Sequence, residues 1–517
     1  MSTETGAWLG STFRELTSLR RNARALAATL PRLGAADPST VVLLARNSFL
    51  PLEVTMAVAL AGARVVPVSP HATARELDFL LRDSGARIAI GDADLLGPMR
   101  DVLDGVVTIA QRTPDEVADA YAIPADARAV PPWCLDYDEV IARGDSDGEI
   151  TTAPASRPDA SMNSLFYTSG TTGTPKGVVR GAPTKEETVR RQATLEACYG
   201  LTPESRGLVT TPLCHMFASN FAQTTLRLGG LLVVMPRFDA TEFLRVVARH
   251  GITNAQVVPT MFVRLLRLPP DERARHDISA LRHVLHTGAP CPPKVKRDMI
   301  DWFGPVIWEQ YGSTETGVVA LCDTAEWLAH PGTVGRPFLS SEIRIFSKSG
   351  TACPPGTPGE IYARMHGTPD FTYLGRPEAR AEVEREGLIS AGDIGELDAD
   401  GYLYLRDRRQ DLILSGGNNI YPAEVEARLA EHPDVSDCAV FGVPDDEFGQ
   451  RAVAAVSLRD GADADVADSL EAFLRTALAA YKVPRDYVVL AQIPRSDSGK
   501  LLRLFARDRY VEQRAVA

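Results

Sequence analysis

The sequence predicts an α/β protein of at least two domains, and three observations lead to this prediction. The chain has 517 residues, which is more than one hydrophobic core usually organises. Up to about residue 340, short apolar segments alternate with helical patterns, as in parallel sheets covered on both faces. Beyond that point the pattern changes to short strands and turns. We therefore expect a large N-terminal domain of doubly wound sheets with a small β-rich subdomain, followed by a small α+β domain.

Hydrophobic periodicity predicts the elements at the start of the chain. Apolar residues at helical spacing predict a helix at 12–30. Thr73 and Glu76 have the spacing of a capping box, so a helix should begin there and end near Ser84. Residues 112–160 are rich in Pro, Asp and Ala, which favours connecting structure. The other elements predicted here are a helix at 49–61 and strands at 41–44, 65–68 and 87–90.

The remaining elements follow from the same patterns. A charge cluster at 406–411 separates the β-rich region from about 105 C-terminal residues of mixed pattern. We place the domain boundary there, with one domain at 1–408 and a second at 409–517. The predicted helices are 184–199, 240–250, 423–430 and 465–480, and the predicted strands are 208–212, 231–235, 255–258, 343–346, 359–362, 401–405, 439–443 and 452–456.

Composition and charge exclude several classes of protein. The net charge of −12 argues against a nucleic-acid partner or an anionic membrane surface, since both need a basic face. The seven cysteines are dispersed without a CxxC pair, which favours reduced thiols over disulfides or a zinc site. The N-terminus has no signal-peptide pattern, and no apolar run approaches 18 residues. We expect a cytoplasmic protein without a membrane span.

The loop at 167–177 carries the most specific chemistry in the sequence. Small residues fill it, so backbone N–H groups and hydroxyls can approach an anion closely, and Lys176 adds a positive charge. It is not a Walker A loop, because five residues separate Gly170 from Lys176 and Gly177 follows the lysine. A flexible linker is the alternative interpretation. The residues expected to hold phosphate are Thr168, Ser169, Gly170, Thr171, Thr172 and Lys176.

Further segments with glycine or charge follow apolar strands. In open α/β sheets such loops lie at the carboxyl ends of strands, where ligands bind. Taken singly, each could be an ordinary turn or a solvated surface segment. These segments are 286–290 (HTGAP), 309–315 (EQYGSTE), 390–393 (SAGD), 407–408 (DR), 415–422 (SGGNNIYP) and 495–500 (RSDSGK).

In this order, the segments resemble the motifs of the ANL superfamily of adenylating enzymes. That superfamily includes acyl-CoA synthetases, the adenylation domains of peptide synthetases, and luciferases. The resemblance extends from Thr168 to Lys500 and is closest to bacterial synthetases acting on fatty, aromatic or steroid-like acids. It implies an AMP-forming acid–thiol ligase that uses ATP, Mg²⁺ and coenzyme A. It also implies a C-terminal domain that rotates between the two half-reactions.

The resemblance implies a role for each nucleotide motif. Tyr311 would stack on the adenine, Thr314 would contact the α-phosphate, and Glu315 would hold Mg²⁺, a cation that prefers oxygen ligands. Asp393 would accept hydrogen bonds from the ribose hydroxyls, and Arg408 would also contact the ribose. The other residues assigned to the nucleotide are Gly288, Ala289, Pro290, Glu309, Gln310, Gly312 and Ser313.

The C-terminal motifs would serve catalysis and thioester formation. The resemblance implies that Lys500 bridges the substrate carboxylate and the α-phosphate, while Gly416 and Gly417 line the path of the pantetheine arm. The sequence departs from the family at Gln410, where the hinge residue is usually Asp or Lys, and at Asn418, where Glu is commoner. Both departures are on the thioester side of the reaction.

The acid would bind near His215, which follows Pro212 as in the family's Pro-x-x-His motif. The surrounding residues are apolar or aromatic and suit a hydrophobic acid, although each could be ordinary core. No acidic residue stands among them to meet an amino group, which weakens an amino-acid substrate. The expected pocket residues are Met216, Phe217, Asn220, Phe221, Val258, Thr260, Met261, Thr287 and Gly317.

The sequence leaves two alternatives open. The acyl-AMP could pass to a carrier protein or another nucleophile instead of coenzyme A, or the chain could be an inactive nucleotide-binding scaffold. The presence of both Glu315 and Lys500 argues against the scaffold. A homodimer is possible.

Overall fold

The structure, a computed structural model, describes ten segments of the chain. They fall into two units: Met1–Val257 with Leu268–Leu285 and His366–Val383, and Val258–Arg267 with His286–Met365 and Glu384–Ala517. The described residues are 5–33, 40–146, 164–169, 175–181, 183–408, 411–415, 418–445, 448–462, 466–496 and 499–516.

A five-stranded parallel sheet organises the N-terminal part of the first unit. Leu26 and Leu50 pack against one of its faces, and Leu77 and Leu81 pack against the other. Helices on both faces confirm the doubly wound arrangement. The sheet also contains the three strands predicted in this region. In spatial order the strands are Arg64–Val68, Thr40–Leu44, Ile88–Asp92, Val107–Gln111 and Leu135–Asp136.

A second group of strands in this unit is also mainly parallel. The prediction of a helix at 12–30 is wrong at its start, because Thr12–Glu15 pairs antiparallel with Gly6–Leu9 and the helix begins at Leu16. The strand Gly6–Leu9 itself pairs with Leu231–Val234, which is distant in sequence, and this sheet outweighs the local helical pattern. The strand order is Asn254–Val257, Arg206–Val209, Leu231–Val234, Gly6–Leu9 and Thr12–Glu15.

Local signals located several helices correctly. Thr73 forms the predicted capping box with Glu76 at the start of Ala74–Ser84. The prediction of connecting structure at 112–160 is wrong for two helices, because Val117 and Tyr137 are buried in the core; residues 147–160 lie outside the described ones. The α-helices of this unit are Leu16–Thr29, Phe49–Ala61, Ala74–Ser84, Ala93–Leu96, Asp115–Tyr121, Tyr137–Ser146, Lys185–Tyr199, Met216–Leu228, Ala240–His250, Pro270–Ala274 and Pro377–Glu382.

Three further strands of the first unit form a small antiparallel sheet. Its order is Phe371–Tyr373, Pro175–Arg180 and Phe166–Ser169. The strand His283–His286 ends at the boundary of the unit, since Leu285 belongs to the first unit and His286 to the second.

The second unit is rich in antiparallel strands, as predicted beyond residue 340. The hairpin of Ile307–Ser313 with Gly317–Cys322 continues to Arg336–Pro337. A five-stranded antiparallel sheet follows, and its last strand includes residues 406–408 of the charge cluster. That sheet contains Ser341–Phe346, Gly359–Met365, Glu384–Arg385, Leu388–Leu397 and Leu403–Arg408.

The C-terminal residues form the predicted α+β arrangement. Val425 and Leu470 pack from two helices onto one face of a sheet, and Ala506 and Tyr510 of the last helix pack with residues of the other face. The strands are Ile413–Ser415, Asn418–Ile420, Val435–Asp445, Gly449–Leu458 and Asp486–Val489, and the helices of the second unit are Pro259–Leu266, Pro293–Phe303, Thr324–Ala329, Pro422–Leu429, Ala467–Arg475 and Arg503–Val516.

Within the described ranges, no helix combines the length and the apolar character that crossing a bilayer requires.

Candidate active site

The segment 309–315 forms one arm of a tight hairpin. The strand Ile307–Ser313 pairs antiparallel with Gly317–Cys322, and the register shifts at Tyr311 and Gly312. A side chain at Gly312 would collide with the carbonyl oxygen of Gly317, so glycine is needed there. This geometry places the predicted phosphate and Mg²⁺ residues, Thr314 and Glu315, in the turn.

The hydroxyl of Ser313 fixes that turn. The side-chain hydroxyl of Thr316 accepts a hydrogen bond of 3.0 Å from the Ser313 N–H, and Ser313 Oγ accepts one of 3.1 Å from the Thr316 N–H. Such reciprocal bonds hold the backbone at a defined angle. Thr314 and Glu315 are half-buried, so their oxygens lie on a rigid turn near the surface. A carboxylate in this position fits Mg²⁺ chemistry, because that ion takes one or two carboxylates together with phosphate oxygens.

Two predicted nucleotide residues are hydrogen-bonded to each other from strands of two different sheets in the second unit. The Tyr311 hydroxyl donates a 2.7 Å hydrogen bond to Asp393 Oδ2. Asp393 is directly opposite Arg408 in the pairing of Leu388–Leu397 with Leu403–Arg408. The adenine and ribose motifs, which are 82 residues apart in sequence, are therefore adjacent in space.

The segment 286–290 joins the same cluster. Thr287 Oγ1 donates a 3.0 Å hydrogen bond to the carbonyl oxygen of Gln310, which ties this segment to the hairpin. Gly288 has φ +88°, a conformation that favours glycine. Gly288 and Pro290 are exposed and Ala289 is half-buried, so the segment presents backbone to solvent as a binding loop would.

A buried ion pair lies beneath these loops. Lys296 Nζ is 2.6 Å from Glu309 Oε2, and Lys296 is fully buried. His286 Nε2 is 3.5 Å from the same carboxylate oxygen. Glu309 was predicted to contact nucleotide, but its side chain is directed to Lys296 and supports the strand from within. Burial raises the pKa of Glu309, and Lys296 opposes that shift. Burial and the charge of Lys296 both lower the pKa of His286, so His286 is a neutral imidazole.

The turn that carries Lys500 is also well defined at its ends. Arg495 makes two hydrogen bonds to the Asp437 carboxylate, at 2.8 and 2.7 Å, and a third of 3.0 Å to the carbonyl of Gly499. The Lys500 N–H donates to Ser496 Oγ at 3.1 Å. Asp497 and Ser498 lie outside the described residues.

This turn packs against residues expected to line the acid pocket. Gly499 has φ +75°, and a Cβ on it would lie 2.5 Å from Thr260 Oγ1 and 3.2 Å from Val258 Cγ2. Only a residue without a side chain permits such an approach. Lys500 is consequently one residue from a contact with the predicted acid-binding segment.

The predicted phosphate loop begins and ends in a hairpin. Thr168 is opposite Lys176, and Ser169 is opposite Pro175. Arg376 pins the base by donating a 3.1 Å hydrogen bond to the Pro175 carbonyl oxygen. The tip residues Gly170, Thr171 and Thr172 lie outside the described ones.

Lys176 has an aromatic neighbour: its Nζ is 5.1 Å from the centre of the Tyr373 ring. A cation held over a ring face keeps its charge near the base of the hairpin.

The segment expected to line the pantetheine path is also bracketed by a hairpin. Ser415 is opposite Asn418 in the pairing of Ile413–Ser415 with Asn418–Ile420. Gly416, Gly417 and the hinge candidate Gln410 lie outside the described residues.

His215 immediately precedes the helix Met216–Leu228. Asn47 holds the turn before it, since Asn47 Oδ1 accepts a 2.7 Å hydrogen bond from the Leu213 N–H. The Asn47 amide nitrogen donates to the carbonyl oxygens of Thr211 and Met235, both at 3.0 Å. One buried side chain thus connects three loops at strand ends.

The aromatic residues expected around the acid pack on Tyr199 in the first unit. The ring centres of Phe217 and Phe221 lie 5.8 and 5.4 Å from that of Tyr199. Phe221 is buried and Phe217 is half-buried. We call Tyr199, Phe217 and Phe221 the aromatic wall; Tyr199 and Phe221 belong to the core, and Phe217 keeps part of its ring accessible.

Comparison with known proteins identifies the family. The model of the AMP-binding enzyme family matches residues 8–368, and that of the AMP-binding enzyme C-terminal domain matches residues 424–500.

The chain belongs to the AMP-binding enzyme family.

Relatives and solved structures of this family match along almost the whole chain. A feruloyl-CoA synthase of Amycolatopsis is 34% identical over 509 residues, covering 97% of this chain and 95% of that protein. An amide bond synthetase from Marinactinospora thermotolerans has a TM-score of 0.83 at 27% identity, covering 98% of this chain and 97% of that one. An o-succinylbenzoate CoA synthetase from Bacillus subtilis, solved with ATP and a magnesium ion, has a TM-score of 0.80 at 27% identity, covering 98% and 97%. These matches confirm the recognised superfamily and the fold class.

Sequence reasoning missed two supports of this AMP-binding enzyme's site. Asn47 follows a buried strand, and a polar residue at that position is a weak signal for a loop contact. Lys296 belongs to the exposed-looking pattern KVKRD on a helix, where nothing in the sequence distinguishes it from the surface lysine Lys294. Both are revealed by partners distant in sequence.

Proposed function

We propose that this AMP-binding enzyme is an acid–CoA ligase that activates a hydrophobic, aromatic or polycyclic carboxylic acid. A carboxylate oxygen attacks the α-phosphorus of ATP, pyrophosphate leaves, and acyl-AMP forms. The thiol sulfur of coenzyme A then attacks the acyl carbon, AMP leaves, and the thiol proton is released. The first step turns a poor electrophile into a mixed anhydride that a thiol can attack.

The observation that carries the proposal is the packing of the Lys500 turn against Thr260. It supports a lysine close to the segment expected to bind the acid, while the hydrogen bond between Tyr311 and Asp393 joins two of the nucleotide motifs. In this proposal Lys500 neutralises charge on the α-phosphate, Thr314 contacts the same phosphate, and Glu315 holds Mg²⁺. That ion would supply charge neutralisation on the phosphates.

Product analysis tests the reaction class. The enzyme is incubated with ATP, Mg²⁺, coenzyme A and a panel of cinnamic, benzoic and fatty acids, and the nucleotide products are separated. AMP and pyrophosphate are expected together with an acyl-CoA. Formation of ADP and phosphate would reject the proposal.

The role of Lys500 is tested by Lys500→Ala. Loss of one charge-stabilising donor should slow adenylation by about 10²- to 10³-fold, measured as acid-dependent pyrophosphate exchange. Lys294→Ala is the matched control, because Lys294 is exposed and pairs with Asp298 on a helix surface. Unchanged exchange in the Lys500 variant would remove this lysine from the mechanism.

A second acceptor is favoured by two observations. The amide bond synthetase matches at a TM-score of 0.83, and Gln410 and Asn418 depart from the family on the thioester side. In that case acyl-AMP would pass to an amine or a carrier-protein thiol. Pyrophosphate exchange without acyl-CoA formation would favour this alternative.

The domain boundary after residue 408 and rotation of the domain 409–517 belong to the same proposal. The separate family matches at 8–368 and 424–500 support two domains. Limited proteolysis with and without ATP is the test, and cleavage confined to residues near 410 is expected. Three properties stay predictions: a cytoplasmic location, the absence of nucleic-acid partners and a homodimer. Light scattering would test whether the protein is a homodimer.

A further inference from the structure

One arginine beside the aromatic wall lacks a counter-ion among the described residues. Arg191 lies on the helix Lys185–Tyr199, and its Nη2 donates a 3.1 Å hydrogen bond to Asn220 Oδ1 on the helix Met216–Leu228. The structure gives Arg191 no ion pair within the part of the chain that it describes.

The charges around Arg191 are unfavourable for a cation. Burial lowers its pKa, the Tyr199 hydroxyl opposes that shift, and the cation of Arg227 adds to it. Within the described part of the chain, no carboxylate contributes to this shift. Arginine keeps its proton in proteins, so a charge that is partly removed from water gains most from an external oxygen anion or acceptor.

Arg227 gives the contrast on the same pair of helices. Its Nη2 lies 2.6 Å from Glu196 Oε1, so this arginine is neutralised by its neighbour helix. Arg191 and Arg227 therefore differ in one respect that matters for binding: only Arg227 has a carboxylate partner among the described residues.

The amide of Asn220 is oriented by its arginine. Guanidinium has donors and no acceptor, so the Asn220 oxygen must face Arg191 and the amide nitrogen must point elsewhere. Asn220 makes no other hydrogen bond to a described residue. The remaining N–H groups of both side chains form a patch of donors with no acceptor among the described residues.

The donor patch follows His215 along the chain. Asn220 is five residues beyond His215, which corresponds to a rise of about 7.5 Å along a helix axis, and Phe217 and Phe221 are its neighbours on the helix. The acid reacts at the His215 end in the proposed function. Its far end would then reach the patch after passing the aromatic wall.

We propose that Arg191 and Asn220 bind an oxygen acceptor at the end of the substrate remote from its reacting carboxylate. The substrate class is thus an acid with a distal carboxylate or a distal phenolic oxygen, not a plain hydrocarbon acid. This inference rests on the proposed function and adds a specificity-determining pair to it.

Three acids of one skeleton provide the test: cinnamic acid, 4-hydroxycinnamic acid and 4-carboxycinnamic acid. We measure kcat/KM for AMP release with coenzyme A present. At least one oxygen-bearing acid should exceed cinnamic acid by tenfold or more. Preference for the carboxylate identifies an anionic end group, and preference for the hydroxyl identifies a neutral one.

The variant Arg191→Met should remove that preference. Its kcat/KM for the preferred acid falls at least tenfold, while the value for cinnamic acid changes less than threefold; Arg227→Met, the control, keeps the wild-type preference. Arg191→Gln repeats the test if the methionine variant does not fold. An equal fall for all three acids, or a wild-type enzyme without preference, overturns the proposal.

Failure of the proposed function gives a different result. If no acid releases AMP, and pyrophosphate exchange is also absent, the reaction class is wrong and the subsite falls with it. If these aromatic acids are inactive but fatty acids react, decanoic acid is compared with decanedioic acid. Absence of a preference for the diacid then overturns the subsite alone.

Discussion

The Tyr311 hydroxyl lies 2.7 Å from Asp393 Oδ2, so one hydrogen bond joins the adenine motif to the ribose motif. Both residues are partly accessible in the second unit. The bond orients the aspartate and the ring together, and a nucleotide that contacts both would find them already arranged. Such preorganisation reduces the entropy lost on binding.

Tyr311→Phe should raise the KM for ATP about tenfold or more, because hydrogen bonds to charged groups contribute about 1.5–3 kcal/mol. The kcat at saturating ATP should change less. Tyr404→Phe is the control, since Tyr404 bonds to Asp398 in the same sheet. Equal KM values for ATP in wild type and Tyr311→Phe would show that this hydrogen bond does not contribute to nucleotide binding.

Lys296→Met should destabilise the protein by about 3–5 kcal/mol, because it leaves the buried Glu309 carboxylate without its partner. The double variant Lys296→Met with Glu309→Leu should recover much of that loss. Urea unfolding measures both. Lys294→Met, at an exposed ion pair, should change stability by less than about 1 kcal/mol. A double variant as unstable as the sum of the single ones would contradict this account.

Asn47→Ala removes three hydrogen bonds around the turn before His215. We expect a loss of about 3 kcal/mol in stability, at about 1 kcal/mol for each bond, and a higher KM for the acid with little change in the KM for ATP. Thr333→Ala is the comparison, because buried Thr333 bonds to the backbone of Leu403 and Gly335. If both variants lose stability and neither changes the KM for the acid, Asn47 has only a structural role.

Asp92 should make stability depend on pH. Burial, with a smaller contribution from Asp94, raises the pKa of this carboxyl from its ordinary value of 3.8 to about 7, while the Arg46 N–H and its positive charge oppose the shift. The folded state therefore keeps a proton that the unfolded chain releases above about pH 4. Stability must fall as pH rises between these two values.

Asp92→Asn should remove this dependence. At pH 8 the variant should melt at a higher temperature than wild type, and its free energy of unfolding should be larger by roughly a few kcal/mol. At pH 4 the two proteins should be similar. Thermal unfolding across pH 4–8 measures the effect. Asp94→Asn, a carboxylate that pairs with Arg46 at 2.7 Å, should not show the same gain at high pH. A parallel pH profile for wild type and Asp92→Asn would refute the assignment.

Local signals explain what could be predicted of the fold. The capping box at Thr73 and Glu76 depends on residues three apart, and the buried strand at 41–44 is a continuous apolar run. Where prediction failed, pairing or packing with distant residues was the cause. Residues 12–15 form a strand because they pair with Gly6–Leu9, which in turn pairs with the distant strand Leu231–Val234. Tyr137 begins a helix, and its hydroxyl donates a hydrogen bond to Glu53, which is 84 residues earlier.

The sequence by itself determined the family and the order of the nucleotide motifs, because each motif is a short run whose residue types carry its chemistry. The tertiary structure decided how they are held. Lys296 beneath Glu309, Asn47 behind the His215 turn, and Arg191 beside Asn220 have their partners 13, 166 and 29 residues away. A buried charge or amide is recognised by the partner that satisfies it, and only folding brings that partner near.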